Sequence, residues 1–193
     1  MKNHFINGLS VNDYEGTGQP MIFVHAFPLS SEMWKPQVDF FGDKYRVITY
    51  DIRGLGKSIQ KDNQFTMESY VNDFFSVLDN LGIDKVNACG LSMGGYIILR
   101  ALVRNPERFL SAVLADTRAE RDDDNGIISR SNTISDIKSG KREEFAAGFL
   151  QKLINRKSYE TPGIKNILAE IISGNTDDGI CGAMLALATR TTT

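Results

Sequence analysis

The residue in this chain best placed to do chemistry is a serine set among glycines, Gly90-Leu91-Ser92-Met93-Gly94, followed by Gly95. Five-residue matches of this kind are common by chance, so the context decides. The motif comes straight after the apolar run Lys85-Val-Asn-Ala-Cys89 and straight before a helical pattern, Tyr96 to Val103. A serine on so sharp a strand-to-helix turn is held strained and exposed, and the glycines let the backbone fold tightly beside it. The helix N-terminus adds a free N–H on Met93 and the positive end of the helix dipole. Both favour an oxyanion forming beside the Ser92 hydroxyl, as in nucleophilic attack on a carbonyl carbon.

Two further loops carry reactive residue types. His25-Ala26-Phe27-Pro28 closes the run Met21 to His25, and the Phe27 N–H could complete an oxyanion site from that loop. Asp51-x-Arg53-Gly54-x-Gly56-x-Ser58 follows the run Tyr45 to Tyr50, and Asp51 and Arg53 read as ties that hold the loop. A serine hydroxyl is a poor nucleophile unless a base takes its proton. The chain has two histidines, His4 and His25, both ahead of Ser92. His25 reads as a hydrogen-bonding anchor of its loop, with catalytic base as the alternative. Other site patterns fail on spacing. Gly56-Lys57-Ser58 lacks the earlier glycine of a phosphate-binding loop, because Asp51 stands there. Asp122 to Gly126 lacks the alternating ligands and closing Glu of a calcium loop. No His/Cys cluster offers zinc ligands, so no metal is expected.

The elements that must hold these residues follow from periodicity. Residues 1 to 116 alternate strand-like and helix-like segments, which predicts an α/β fold: a mainly parallel sheet with helices on both faces. The strands are Met21 to His25, Tyr45 to Tyr50, Lys85 to Cys89 and Leu110 to Ala115. A leading hairpin is expected from Phe5 to Tyr14 into Met21, turning through Glu15-Gly-Thr-Gly18. Thr66 is a good N-cap for a helix carrying Met67, Val71, Phe74, Phe75, Leu78 and Leu81, with Gly82 as its stop. After Asp116 the character changes. Arg118 to Gly126 reads as a polar linker, and helical patterns cover Ile137 to Ile154, Ile164 to Ile172 and Ile180 to Leu187. The chain therefore divides into a core, residues 1–117, and a helical cap, residues 118–193.

Composition narrows the class. A net charge of −2 without a basic patch argues against nucleic acid as a partner. Apolar runs such as Ala183 to Ala188 are too short to span a bilayer, and residues 1 to 16 lack the apolar stretch of a signal peptide. A cytoplasmic protein with Cys89 and Cys181 as reduced thiols is the expectation.

In this order and spacing, the Ser92, His25 and Asp51 motifs resemble the α/β-hydrolase superfamily over residues 5 to 116. The likeness is greatest to its small esterase, haloperoxidase-like and lactonase-like group, with Asp116-Thr-Arg-Ala119 leading into a helical cap. The resemblance implies Ser92 as nucleophile and the backbone amides of Phe27 and Met93 as oxyanion hole. Ala26 stands where the family often has Gly, a tolerable change because the backbone amide acts. Serine at the elbow argues against the dehalogenase and epoxide hydrolase branches, which place Asp there. In this fold the acid and then the His follow the serine along the chain. Asp116 is a possible acid, or else a polar strand-end residue. With no later His, the chain reads as the front part of a longer enzyme, impaired alone. The implied activity is cleavage of esters or lactones of small, fairly apolar acids through an acyl-enzyme, without a cofactor. Phe27, Phe145, Phe149 and Leu153 would line the acyl pocket or simply pack the cap. The alternative is a non-catalytic module binding a small molecule or a protein. The strand 110–115 becomes an exposed apolar edge, open to self-association or a partner chain.

Overall fold

The computed structural model describes residues 1–60 and 63–193. Six strands form one sheet: β1 (Lys2–Ile6), β2 (Leu9–Asp13), β3 (Pro20–Val24), β4 (Arg46–Tyr50), β5 (Val86–Leu91) and β6 (Phe109–Ala115). Their order is β1-β2-β4-β3-β5-β6. β1 and β2 pair antiparallel, β2 runs antiparallel to β4, and β4, β3, β5 and β6 are mutually parallel.

The parallel strands alternate between two buried faces, as β-strand geometry requires. Ile22, Val24, Ile48, Tyr50, Val86 and Ala88 point to one face, which α2 (Met67–Asn80) and α3 (Met93–Arg104) cover. Phe23 and Val47 point to the other, against Trp34 and Val38 of a 3-10 turn and α1 (Lys35–Phe41). Helices on both faces are what the periodicity predicts. α2 starts at Thr66, whose hydroxyl accepts from Ser69 N in a reciprocal capping box, and it is followed by Gly82 at φ 65.

The leading hairpin turns elsewhere than expected. Its turn is Asn7-Gly8, with both residues at positive φ (51 and 91), the signature of a tight type I′ hairpin. The segment 15–18 is instead a crossover, because β4 lies between β2 and β3 in the sheet.

Beyond β6 lie α4 (Asp124–Lys138), α5 (Arg142–Leu153), α6 (Arg156–Tyr159), α7 (Pro162–Ser173) and α8 (Asp177–Ala188). The single helical pattern read from 137 to 154 is two helices, broken where Gly140 takes φ 90. α4 also begins inside the stretch read as linker, capped by Asp123, whose side chain accepts from Gly126 N. α4 buries only Ile137 fully, so it carries little amphipathic signal. α8 is the opposite: Ile180, Ala183, Met184 and Leu187 join the main apolar cluster with Leu55 and Phe65. Among the described residues no helix is long and apolar enough to cross a membrane. β6 ends the sheet, with Leu110, Val113 and Leu114 exposed.

Candidate functional site

Ser92 sits at the β5–α3 junction with φ 51 and ψ −109, a conformation an L-residue rarely adopts. Holding it costs on the order of 1–3 kcal/mol, so its surroundings must enforce it. They do so through hydrogen bonds on both sides: Ser92 N donates to Ala115 O (2.9 Å), and Thr117 Oγ1 donates to Ser92 O (2.9 Å). The flanking glycines are required by close approach. A Cβ on Gly94 would lie 2.1 Å from Val24 O, and one on Gly95 would lie 2.6 Å from the Thr117 side chain. Met93 is the first residue of α3, so its N–H belongs to the helix's first turn, which has no intrahelical acceptor. Its side chain is fully buried and anchors the turn.

The loop after β3 is fixed through His25, which is completely buried. Its Nε2 accepts from Ile52 N (2.9 Å), so the ring proton sits on Nδ1 and is donated to Ala26 O (2.9 Å). Burial pushes the imidazole below its ordinary value, against the pull of the Asp51 carboxylate and the Ala26 hydrogen bond. With both ring nitrogens occupied, His25 is a loop anchor and holds no free lone pair for a proton. His4 lies on β1, four strand positions from β5, or about 19 Å at the usual strand spacing. Phe27 is buried, and its N–H has no acceptor among the described residues, whereas the neighbouring Leu29 N donates to Ala26 O.

The third loop is tied down as its residue types suggest. The Asp51 carboxylate accepts from Ser31 N (2.7 Å) and Lys57 N (2.8 Å), and Arg53 grips Asp73 through two hydrogen bonds of 2.6 and 2.7 Å. Asp116 follows β6 at φ 43 and is exposed. It is the residue between Ala115 and Thr117, both of which bond the backbone of Ser92.

Phe27, Phe145 and Phe149 form one aromatic group, with ring centroids 5.5 Å apart for Phe27–Phe149 and for Phe145–Phe149 and 6.2 Å for Phe27–Phe145. Leu153 is not brought to it. That side chain packs in a separate cluster with Ala26, Leu29, Leu150, Ile171 and Ile172. Phe145 and Phe149 also line a cavity of about 530 Å³ between α4, α5 and α8, which Ser92 itself does not line.

The pattern of the alpha/beta hydrolase fold family matches residues 19–162, well over half of the chain. The chain belongs to that family. It is 27% identical over 168 residues to 3-oxoadipate enol-lactonase 1 of Acinetobacter baylyi, covering 87% of this chain and 62% of that protein. It is 40% identical over 96 residues to an uncharacterized carboxylesterase of Bacillus subtilis, covering 49% of this chain and 32% of that protein. The chain thus spans less than two thirds of the length of either relative. Among solved structures, a malate-bound thermophilic esterase from Thermogutta terrifontis superposes with a TM-score of 0.92 at 28% identity, covering all of this chain and 74% of that one.

Two features of this α/β hydrolase have no signal in its sequence. Asn175, between α7 and α8, is buried and donates to Pro28 O (2.7 Å) while accepting from Gly56 N (2.7 Å). It therefore ties the loop after β3 to the loop after β4. Asp122 gathers three arginines, Arg118, Arg130 and Arg190, of which the last is 68 residues away. Neither residue stands in a motif, and the partners Pro28, Gly56 and Arg190 are brought to them by tertiary folding.

Proposed function

We propose that this chain carries the acyl-transfer centre of a hydrolase acting on esters or lactones of small acids. The observation that supports it best is the backbone of Ser92, forced to φ 51 at the N-terminus of α3. In this reading Ser92 Oγ attacks the carbonyl carbon, and the new oxyanion accepts from the N–H groups of Met93 and Phe27. A base takes the Ser92 Oγ proton and delivers it to the leaving oxygen as the tetrahedral species collapses, so that the ester C–O bond breaks and Ser92 is left acylated. Water then adds to the acyl carbon and releases the acid, with a proton returned to Ser92 Oγ. No cofactor enters. Residues 118–193 act as the cap, with Phe145 and Phe149 against Phe27 walling the acyl side. Names of relatives such as enol-lactonase and carboxylesterase agree with this substrate class.

Among the described residues neither histidine is placed to serve Ser92 as base: His25 is committed to its loop, and His4 is about 19 Å away. In subtilisin, loss of the His costs about 2 × 10⁶ in kcat. The oxyanion site and binding would retain acceleration on the order of 10³ to 10⁴ over water. The commitment of His25 to its loop also favours a second reading, a non-catalytic small-molecule or protein binding module on the same fold.

The test is hydrolysis of a p-nitrophenyl ester with added imidazole as external base, comparing the chain with Ser92→Ala. The expected result is a rate that rises with imidazole more steeply in the parent chain than in the variant. Equal rates in the two at every imidazole concentration would refute Ser92 as nucleophile. Rapid labelling of the unaided chain by a fluorophosphonate would contradict the missing base.

A further inference from the structure

The inner end of the cavity between α4, α5 and α8 carries an excess of positive charge. Asp122, almost fully buried, accepts from Arg118 Nη2 (2.6 Å), from Arg130 Nε and from Arg190 Nη1 (2.8 Å). Burial alone would raise its pKa, but the arginine hydrogen bonds overcome this and hold the carboxyl far below the usual carboxylate range. Three guanidinium groups against one carboxylate leave two positive charges uncompensated. The other charged residues lining the cavity, Asp136, Lys141, Glu144 and Lys152, are two acids and two bases and do not alter that balance.

Arg190 is fully employed. Its Nη2 donates to Glu120 O (2.7 Å), and its guanidinium stacks on the Tyr96 ring at 4.1 Å. Arg118 and Arg130 differ, because both line the cavity. Arg118 is about half exposed, at 53% of its side chain. Among the described residues Arg130 Nη1 meets no acceptor other than the Met184 thioether, 3.7 Å away and a weak one. A half-buried arginine with a spare donor fork, opening on a 530 Å³ space, matches an anion of planar two-oxygen geometry. The apolar part of the lining comes from Phe145 and Phe149, which rest on Phe27. Arg118 follows Thr117, whose hydroxyl holds the Ser92 carbonyl oxygen.

We propose that this cavity binds the carboxylate of a small organic acid, with Arg118 and Arg130 as its cationic ligands. As a substrate statement this rests on the hydrolase reading: the ester or lactone would carry a carboxylate remote from its reacting acyl carbon, with the connecting methylenes along Phe145 and Phe149. As a binding statement it stands without Ser92.

The experiment is calorimetric titration of succinate into the Ser92→Ala chain at fixed ionic strength, alongside its neutral isostere succinamide and inorganic phosphate. Arg118→Gln and Arg130→Gln are compared with Arg156→Gln, which alters an exposed pair on α6. Succinate should bind saturably, with succinamide at least about tenfold weaker. Each cavity variant should weaken succinate about tenfold, the size of one charge-assisted hydrogen bond, and Arg156→Gln should not. Arg118→Gln keeps the test valid if Arg130→Gln fails to fold. The proposal falls if succinate does not saturate, if succinamide binds as well, or if the folded cavity variants bind unchanged. Phosphate binding tighter than succinate would also overturn the carboxylate assignment. Succinate binding in a chain whose Ser92 shows no activity in the imidazole assay would remove the hydrolase reading alone.

Discussion

Asn175 offers the sharpest test of how the helical segment after β6 is coupled to the loops around Ser92. Its side chain is 3% exposed and spans two loops, donating to Pro28 O and accepting from Gly56 N, both at 2.7 Å. Asn175→Ala deletes both bonds; the buried Pro28 carbonyl loses this donor, whereas the N–H of exposed Gly56 can turn to water. One buried orphan costs about 1–3 kcal/mol, so the expected loss is about 1–3 kcal/mol. With a urea m-value of about 2 kcal/mol/M, the unfolding midpoint should fall by about 0.5–1.5 M, followed by far-ultraviolet circular dichroism. Asn175→Asp separates the two bonds. Its carboxylate still accepts from Gly56 N, but it sets negative charge against the carbonyl oxygens of Pro28 and Ile171, the latter 3.2 Å from the native amide nitrogen. It should therefore be at least as unstable as the alanine variant at neutral pH and recover partly on acidification, when the protonated carboxyl can donate. A midpoint shift below about 0.25 M for Asn175→Ala, equivalent to less than about 0.5 kcal/mol, would refute the coupling.

Two further outcomes follow from the same kind of reasoning. Burial lowers the His25 pKa in the folded state, so its contribution to stability is complete above the unfolded value of about 6.5 and is lost as pH falls below it toward the folded value. Unfolding free energies from urea titrations of the parent chain should decline as pH falls below about 6.5, with a slope of at most one proton's worth of linkage, about 1.4 kcal/mol per pH unit. His25→Gln should flatten that decline, and parallel curves would exclude His25 as its source. At the other end of the sheet, β6 presents Val113 at 56% exposure beside exposed Leu110 and Leu114, an unprotected apolar edge. Sedimentation velocity should show mass rising with concentration for this chain and suppressed by Val113→Lys; a monomer at every concentration would dismiss the edge as a contact surface.

What could be read from the residues alone is what local geometry controls. Thr66 and Gly82 bracket α2 because capping and chain reversal are decided within a few residues, and the buried positions between them repeat at helical spacing. The same holds for Gly94 and Gly95, whose missing side chains make room for Val24 O and for Thr117 beside the elbow. The Asn7-Gly8 turn is equally local, but Gly16 and Gly18 offer a competing turn in the same stretch of sequence. α4 failed for a different reason. With one fully buried residue it has almost no apolar stripe to detect, and its register is held by polar contacts such as Arg130 to Asp122 and Lys138 to Asp178.

The contrast reaches into function. The proposed nucleophile is written in five consecutive residues because a strained turn needs its constraints close at hand. The groups proposed to choose the ligand come from separated parts of the chain: Arg118 after β6, Arg130 on α4, Phe145 and Phe149 on α5. Arg190, returning from beyond α8, neutralises Asp122 and so leaves Arg118 and Arg130 with charge to spare. Replacing Arg190 would therefore draw those two arginines more fully onto Asp122 and weaken anion binding, although Arg190 does not line the cavity. A chain can hold its reactive turn while its selectivity changes through residues that no motif marks.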